Sequence, residues 1–144
     1  MFKKVVWATD GSKAADQTLP LVRELARMGG GEVVVVHCGE MTAPSKGAEP
    51  VPAHVDETEL LAKIRDQVAD LSNDGVRATL ELAKASTGGA AHAIADAAEV
   101  AQAEVIVVGT RGHTALGGLL LGSVTQRLLH IAPCPVLAVP IRSV

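Results

Sequence analysis

Phosphate binding is the first chemistry that residue spacing suggests, in the stretch GTRGHTALGGLLLGSVT from Gly109 to Thr125. It follows the apolar run Val105-Ile106-Val107-Val108 and precedes a helical pattern, Val124, Leu128 and Ile131. A strand is therefore expected to end at Gly109, with a glycine-rich loop after it and a helix opening near Ser123. Glycines let the backbone approach an anion closely, and the free N–H groups that open a helix carry partial positive charge. Ser123 adds a hydroxyl at the mouth and Arg111 a nearby cation. The plainer alternative is a flexible connector at Gly117-Gly118 with an ordinary helix cap at Gly122-Ser123. Neither G-x4-G-K-[ST] nor G-x-G-x-x-G occurs, since Asp10-Gly11-Ser12 follows the first strand.

Asp10 is the second candidate. A carboxylate after a strand and before a helix can face a ligand, or can serve the helix N-terminus itself. The histidines, His37, His54, His92, His113 and His130, show no zinc spacing, and Cys38 and Cys134 form no C-x-x-C motif, so no metal ligand is assigned. His113 lies in the glycine loop, where a solvent-facing role is the commoner one. A triad of Asp10, His113 and Ser123 fails for lack of the G-x-S-x-G elbow, so no catalytic residue is assigned.

These residues need elements to hold them, and the chain supplies a regular alternation. Strands are expected at Lys3 to Thr9, Glu32 to Cys38, Arg77 to Leu82, Glu104 to Val108 and Pro135 to Val139. A first helix runs from the N-cap Ser12 through Ala15, Leu19, Val22 and Ala26 to Gly29-Gly30-Gly31. Later helices cover about Val55 to Asn73 (stripe Leu61, Ile64, Val68, Leu71), about Gly89 to Ala101, and Ser123 to Ile131. Four β-α units closed by a strand imply an α/β fold, a parallel sheet with helices on both faces. Val33-Val34-Val35-Val36 reads as buried on both faces, and the alternating third strand as an edge. Gly39 to His54, with three prolines, is long for a connection and reads as a mobile lid or disordered connector.

The 144 residues bound one domain, 1–144. Aromatics are only 1% against 48% hydrophobic residues, so small aliphatics must build the core. The net charge of −3 lacks the basic excess of a nucleic-acid surface. No segment reaches the 18 or so apolar residues of a membrane span, and the expected location is the cytoplasm.

The glycines at 109, 112 and 122 with Ser123 give G-x2-G-x9-G-S. With Thr9-Asp10-Gly11-Ser12, Gly88-Gly89-Ala90-Ala91-His92-Ala93-Ile94 and Ala132-Pro133-Cys134-Pro135-Val136-Leu137, this resembles the ATP-binding branch of the universal stress protein family over nearly the whole chain. The resemblance implies strand order 3-2-1-4-5 and a Rossmann-like crevice between the first and fourth strands, where open α/β sheets bind ligands. It implies an adenine nucleotide, ATP with Mg²⁺ held through the phosphates. Adenine would lie near Asp10 and Cys38 at the ends of the first two strands, and ribose by Gly109 and Gly112. Phosphates would lie at Gly122, Ser123, Val124 and Thr125, with Ala8, Thr9 and Arg111 also lining the nucleotide. The family commonly has proline where this chain has Ala8, a difference in loop stiffness. The implied role is a regulatory or sensor module with an unknown protein partner. Alternatives are a slow ATPase or phosphotransferase, a site specialised for AMP or cyclic AMP, and a flavin or electron-transfer protein of related topology. In this strand order Cys38 and Cys134 are roughly 14 Å apart across the sheet, too far for a disulfide. A homodimer through the last strand, Pro135 to Ile141, completes the expectation.

Overall fold

The structure, a computed structural model, describes residues 2–39, 57–84, 88–110 and 122–140. Among the described residues five strands, β1 (Lys4–Ala8), β2 (Glu32–Gly39), β3 (Arg77–Lys84), β4 (Val105–Gly109) and β5 (Val136–Val139), are interleaved with five helices. These are α1 (Lys13–Asp16), α2 (Leu19–Gly29), α3 (Glu57–Asn73), α4 (Gly89–Ala101) and α5 (Ser123–Ile131). The sheet order is β3-β2-β1-β4-β5, as expected, and every neighbouring pair is parallel. β1 pairs Val6 with Val34 on one side and with Ile106 on the other, so it is the central strand.

Alternation along the strands divides the core in two. Val5, Trp7, Val33, Val35, Val105 and Val107 face Val22 and Ala26 of α2 and Ile64 and Leu71 of α3. Val6, Ala8, Val36, Ile106 and Val108 face Ala91, Ile94, Ala95 and Ala98 of α4 and Leu128 of α5. The alanines of α4 let its axis approach the sheet closely, which is how a chain almost without aromatics packs its second face. Val34 is half-buried, so the four-valine run is less enclosed than its sequence implies.

The single helix expected from Ser12 to the triple glycine is instead two. α1 ends at Asp16, and α2 starts after Thr18 with Pro20 in its first turn. Proline has no N–H to donate and suits a helix start, so it favours a new helix over a continued one. The break has a use in the core. Trp7 Nε1 donates to Thr18 Oγ1 at 2.7 Å, and that hydroxyl donates to the Ala15 carbonyl at 2.7 Å. The only indole in the chain is thereby satisfied where both residues are fully buried. At the far end of α2 a Cβ on Gly31 would lie 2.1 Å from the Lys3 carbonyl oxygen, so the chain can enter β2 there only as glycine.

Both sheet edges are as expected. β3 pairs with β2 alone, and it extends two residues further than its alternation suggested, to Lys84. At β5, Val136 and Ala138 pack toward α4 and α5 while Val139 packs toward the α2–α3 core. Leu137 remains 38% exposed. Cys38 ends β2, Cys134 precedes β5, two strands separate them, and no disulfide joins them. Among the described residues no helix is long and apolar enough to cross a membrane. The expected lid falls on residues outside the described ones, apart from Gly39 at its start.

Candidate functional site

The ends of β1 and β4 lie side by side, because these strands pair from Val5 with Val105 to Trp7 with Val107. The segments leaving the two strands, Thr9 to Ser12 and Gly109-Thr110, are therefore brought to one crevice at the switch point of the sheet.

Beyond β1 the chain makes a tight, heavily bonded turn. Asp10 Oδ1 accepts from the Ser12 N–H at 2.9 Å, and Thr9 Oγ1 accepts from the Gly11 N–H at 3.1 Å. Ser12 Oγ accepts from the Ala15 N–H at 3.1 Å, the N-cap that the sequence leads one to expect. Gly11 has φ 80°, the left-handed region, and a Cβ there would strike the Leu60 side chain. One Asp10 oxygen thus accepts a turn hydrogen bond, as local side-chain bonding of aspartate favours. The structural role weighed for this residue is present.

Beyond β4 the chain leaves at Thr110 and returns at Gly122, whose N–H donates to the Thr110 carbonyl at 2.8 Å. The exit and return of the glycine loop are thus clamped together. Gly122 is the N-cap of α5, and among the described residues no side chain caps the helix. The opening N–H groups of Ser123, Val124 and Thr125 therefore stand at the crevice with the positive end of the helix dipole. Thr125 is buried, and its hydroxyl donates to the Gly109 carbonyl at 2.8 Å, tying α5 to β4. That hydroxyl is structural.

The other candidates fall into place on either side. Ala8 is buried with its methyl in the α4–α5 core, so only its backbone faces the crevice. Thr9 is buried and its N–H donates to the Val36 carbonyl at 3.0 Å. Cys38, two residues further along β2, is buried at the same end of the sheet. Arg111, Gly112 and His113 lie outside the described residues. Cys134 stands apart, and burial pushes its thiol up from the ordinary value, which disfavours the reactive thiolate. Among the described residues no three His, Cys, Asp or Glu side chains gather as metal ligands.

Several residues that hold the site carry no motif. Lys63 of α3 donates to the Gly11 carbonyl at 3.0 Å and pairs with Asp16, which also accepts from Gln67 Nε2 at 2.9 Å. His37 of β2, 4% exposed, places Nδ1 3.0 Å from the Thr9 carbonyl oxygen and Nε2 3.2 Å from Glu57 Oε1. The signal for His37 was its place in an apolar strand, since a buried polar side chain needs partners. The partners themselves lie 20 and 28 residues away, beyond reach of spacing arguments.

Comparison with known proteins agrees with this architecture. Residues 1–140 match the Universal stress protein family. The universal stress protein in the QAH/OAS sulfhydrylase 3' region of Thermus aquaticus is 34% identical over 145 residues, covering 96% of this chain and 99% of the relative. The structure of hypothetical protein MJ0577 superposes with a TM-score of 0.82 at 23% identity, covering 100% of this chain and 99% of that one. A universal stress protein in complex with cAMP gives a TM-score of 0.70 at 18% identity, covering 98% of both chains. The Archaeoglobus fulgidus universal stress protein in complex with dAMP gives 0.65 at 26%, covering 99% of this chain and 98% of that one.

Proposed function

The chain belongs to the universal stress protein family, and from that premise we propose that the crevice between β1 and β4 binds an adenine nucleotide, ATP in the first place. The observation that carries this reading is the junction of β4 and α5. A helix opens there on a glycine N-cap, with no side-chain cap among the described residues, clamped to the strand end that the G-x2-G-x9-G-S spacing marks. Backbone N–H groups at such a place suit phosphate. The dAMP complex of the Archaeoglobus fulgidus relative supports an adenine nucleotide as the ligand class. Adenine would lie by the Thr9-Asp10 turn and Cys38, and the phosphates at Gly122, Ser123, Val124 and Thr125. Mg²⁺ would be held through the phosphates and would offset their charge. The role proposed is a cytoplasmic regulatory or sensor module in which nucleotide occupancy is the signal.

Calorimetry with ATP, ADP, AMP and cAMP on purified protein tests the reading and counts the phosphates. Binding of ATP tighter than the monophosphates supports it. A preference for AMP or cAMP would reassign the α5 N-terminus to a single phosphate. No heat with any of the four would overturn it. Single-turnover hydrolysis on the same protein separates a binding module from a slow ATPase.

A second copy is the proposed partner of β5. This strand is the sheet edge, it presents the half-exposed Leu137, and edges with open backbone groups favour pairing with another chain. Antiparallel pairing about a two-fold axis would be closed, and Pro135 and Pro140 limit its length. Light scattering after size exclusion is expected to give twice the chain mass. A value of 14.8 kDa at tens of micromolar protein would exclude the dimer.

A further inference from the structure

We propose that His37 is a positioning residue for the adenine side of the crevice and acts in its protonated form, its imidazolium bridging the Thr9 carbonyl and the Glu57 carboxylate. The effect on ligand affinity rests on the nucleotide reading above, whereas the bridge itself does not.

Hydrogen-bond chemistry carries the argument. A carbonyl oxygen only accepts, and so does an ionised carboxylate. His37 faces one with each ring nitrogen, the Thr9 oxygen at 3.0 Å and Glu57 Oε1 at 3.2 Å. Both contacts are made together only when both nitrogens carry hydrogen. A neutral ring has one N–H and one lone pair. If Nδ1 keeps its hydrogen for Thr9, the Nε2 lone pair is turned on a carboxylate oxygen, and one contact becomes repulsive.

No other charged group described on this face takes the place of Glu57. His37 lies on the side of the sheet covered by α2 and α3, with Leu82 of β3 as its register partner. From α3, Lys63 is directed to Asp16 and the Gly11 carbonyl. From α1, Asp16 is held by Lys63 and Gln67, and Lys13 is exposed. The buried residues of α2 are Val22 and Ala26. Asp10 follows Thr9 and accepts from Ser12. The bridge therefore joins three elements, the end of β1, the end of β2 and the start of α3. Its carbonyl partner is the residue directly before Asp10. The bridge therefore exists where the ring carries hydrogen on both nitrogens and is lost where it carries one.

The test begins on the nucleotide-free protein. Long-range nitrogen–proton NMR across a pH series is expected to show both His37 nitrogens protonated where the Glu57 contact is held, and one proton lost where it opens. The Gly11 and Ser12 amides should shift in step. Adenine-nucleotide affinity is expected to fall about two- to five-fold over the same range, the scale of one half-exposed ion pair. Ligand phosphates also titrate near pH ~6, so the readout is the difference between wild type and Glu57→Gln. The amide of glutamine can donate to a neutral Nε2, so this variant should lose the His37-linked part of the pH dependence. Glu57→Ala should behave at every pH like wild type at the basic end. A neutral His37 ring at the acidic end in folded protein, or a Glu57→Gln profile identical to wild type, would overturn the proposal. An intact NMR titration without nucleotide binding at any pH would support the bridge and sink the nucleotide reading alone.

Discussion

Replacing Gly122 with valine is expected to abolish adenine-nucleotide binding while the protein stays folded. Gly122 has φ −58° and ψ 152°, a backbone conformation that any residue adopts, so valine meets no backbone strain. The Gly122 N–H bond to Thr110 and the Gln126 N–H bond to the Gly122 carbonyl are both main-chain bonds and survive the change. Valine is a poorer N-cap than glycine, at a cost of about 1 kcal/mol, against a typical domain stability of about 5–15 kcal/mol. The change is one of space. A branched side chain would stand where the proposed phosphate must meet the opening N–H groups of α5. A loss of about 100-fold or more, about 2.7 kcal/mol, is expected in calorimetry with ATP. Ser123→Ala works differently, since it removes a hydroxyl from an exposed position and leaves the backbone cradle. Losing a hydrogen bond to a charged group costs about 1.5–3 kcal/mol, or roughly 10- to 150-fold in affinity. Wild-type affinity in both folded variants would place the phosphates elsewhere.

For stability the largest single effect is expected at Trp7, which is fully buried at the centre of the sheet. Trp7→Ala removes the largest side chain of the α2–α3 core and should destabilise by about 3–5 kcal/mol. It also strips the buried Thr18 hydroxyl of its indole donor. Urea unfolding followed by circular dichroism measures this, because the variant retains no tryptophan to report by fluorescence. A companion variant isolates the hydrogen bond. Thr18→Val keeps nearly the same shape but leaves Trp7 Nε1 buried without an acceptor, at a cost of about 1–3 kcal/mol. A loss below about 1 kcal/mol in Trp7→Ala would contradict the packing described.

The junction of α1 and α2 at Thr18 lies beyond what local pattern can resolve. Ala15, Leu19, Val22 and Ala26 keep one helical period across the break, so periodicity alone joins them. Proline at position 20 is compatible with a helix start and, read alone, does not announce one. The break is stabilised by a Trp7–Thr18 bond across the core, formed only once β1 lies beneath α2. Asp10 is the converse case. Its turn with Ser12 spans two residues and is local, so a structural role was readable from Asp10-Gly11-Ser12 itself.

The alternation of strands and helices and the two-sided aliphatic core were legible in the residues alone. Hydrophobic period, caps and glycine spacing are properties of neighbouring residues, and they need no knowledge of the rest of the chain. G-x2-G-x9-G-S and its companions also carried the family, and with it the strand order that the structure confirms. The way the candidate site is held emerged only in three dimensions. The fold turned the Ala8 methyl into the core, directed the Thr125 hydroxyl to Gly109, and brought Lys63 to Gly11 and His37 between Thr9 and Glu57. Ala8 aside, these contacts join residues 16 to 52 positions apart. Which buried polar atoms meet depends on which elements share a sheet face, and that is set by packing the whole chain.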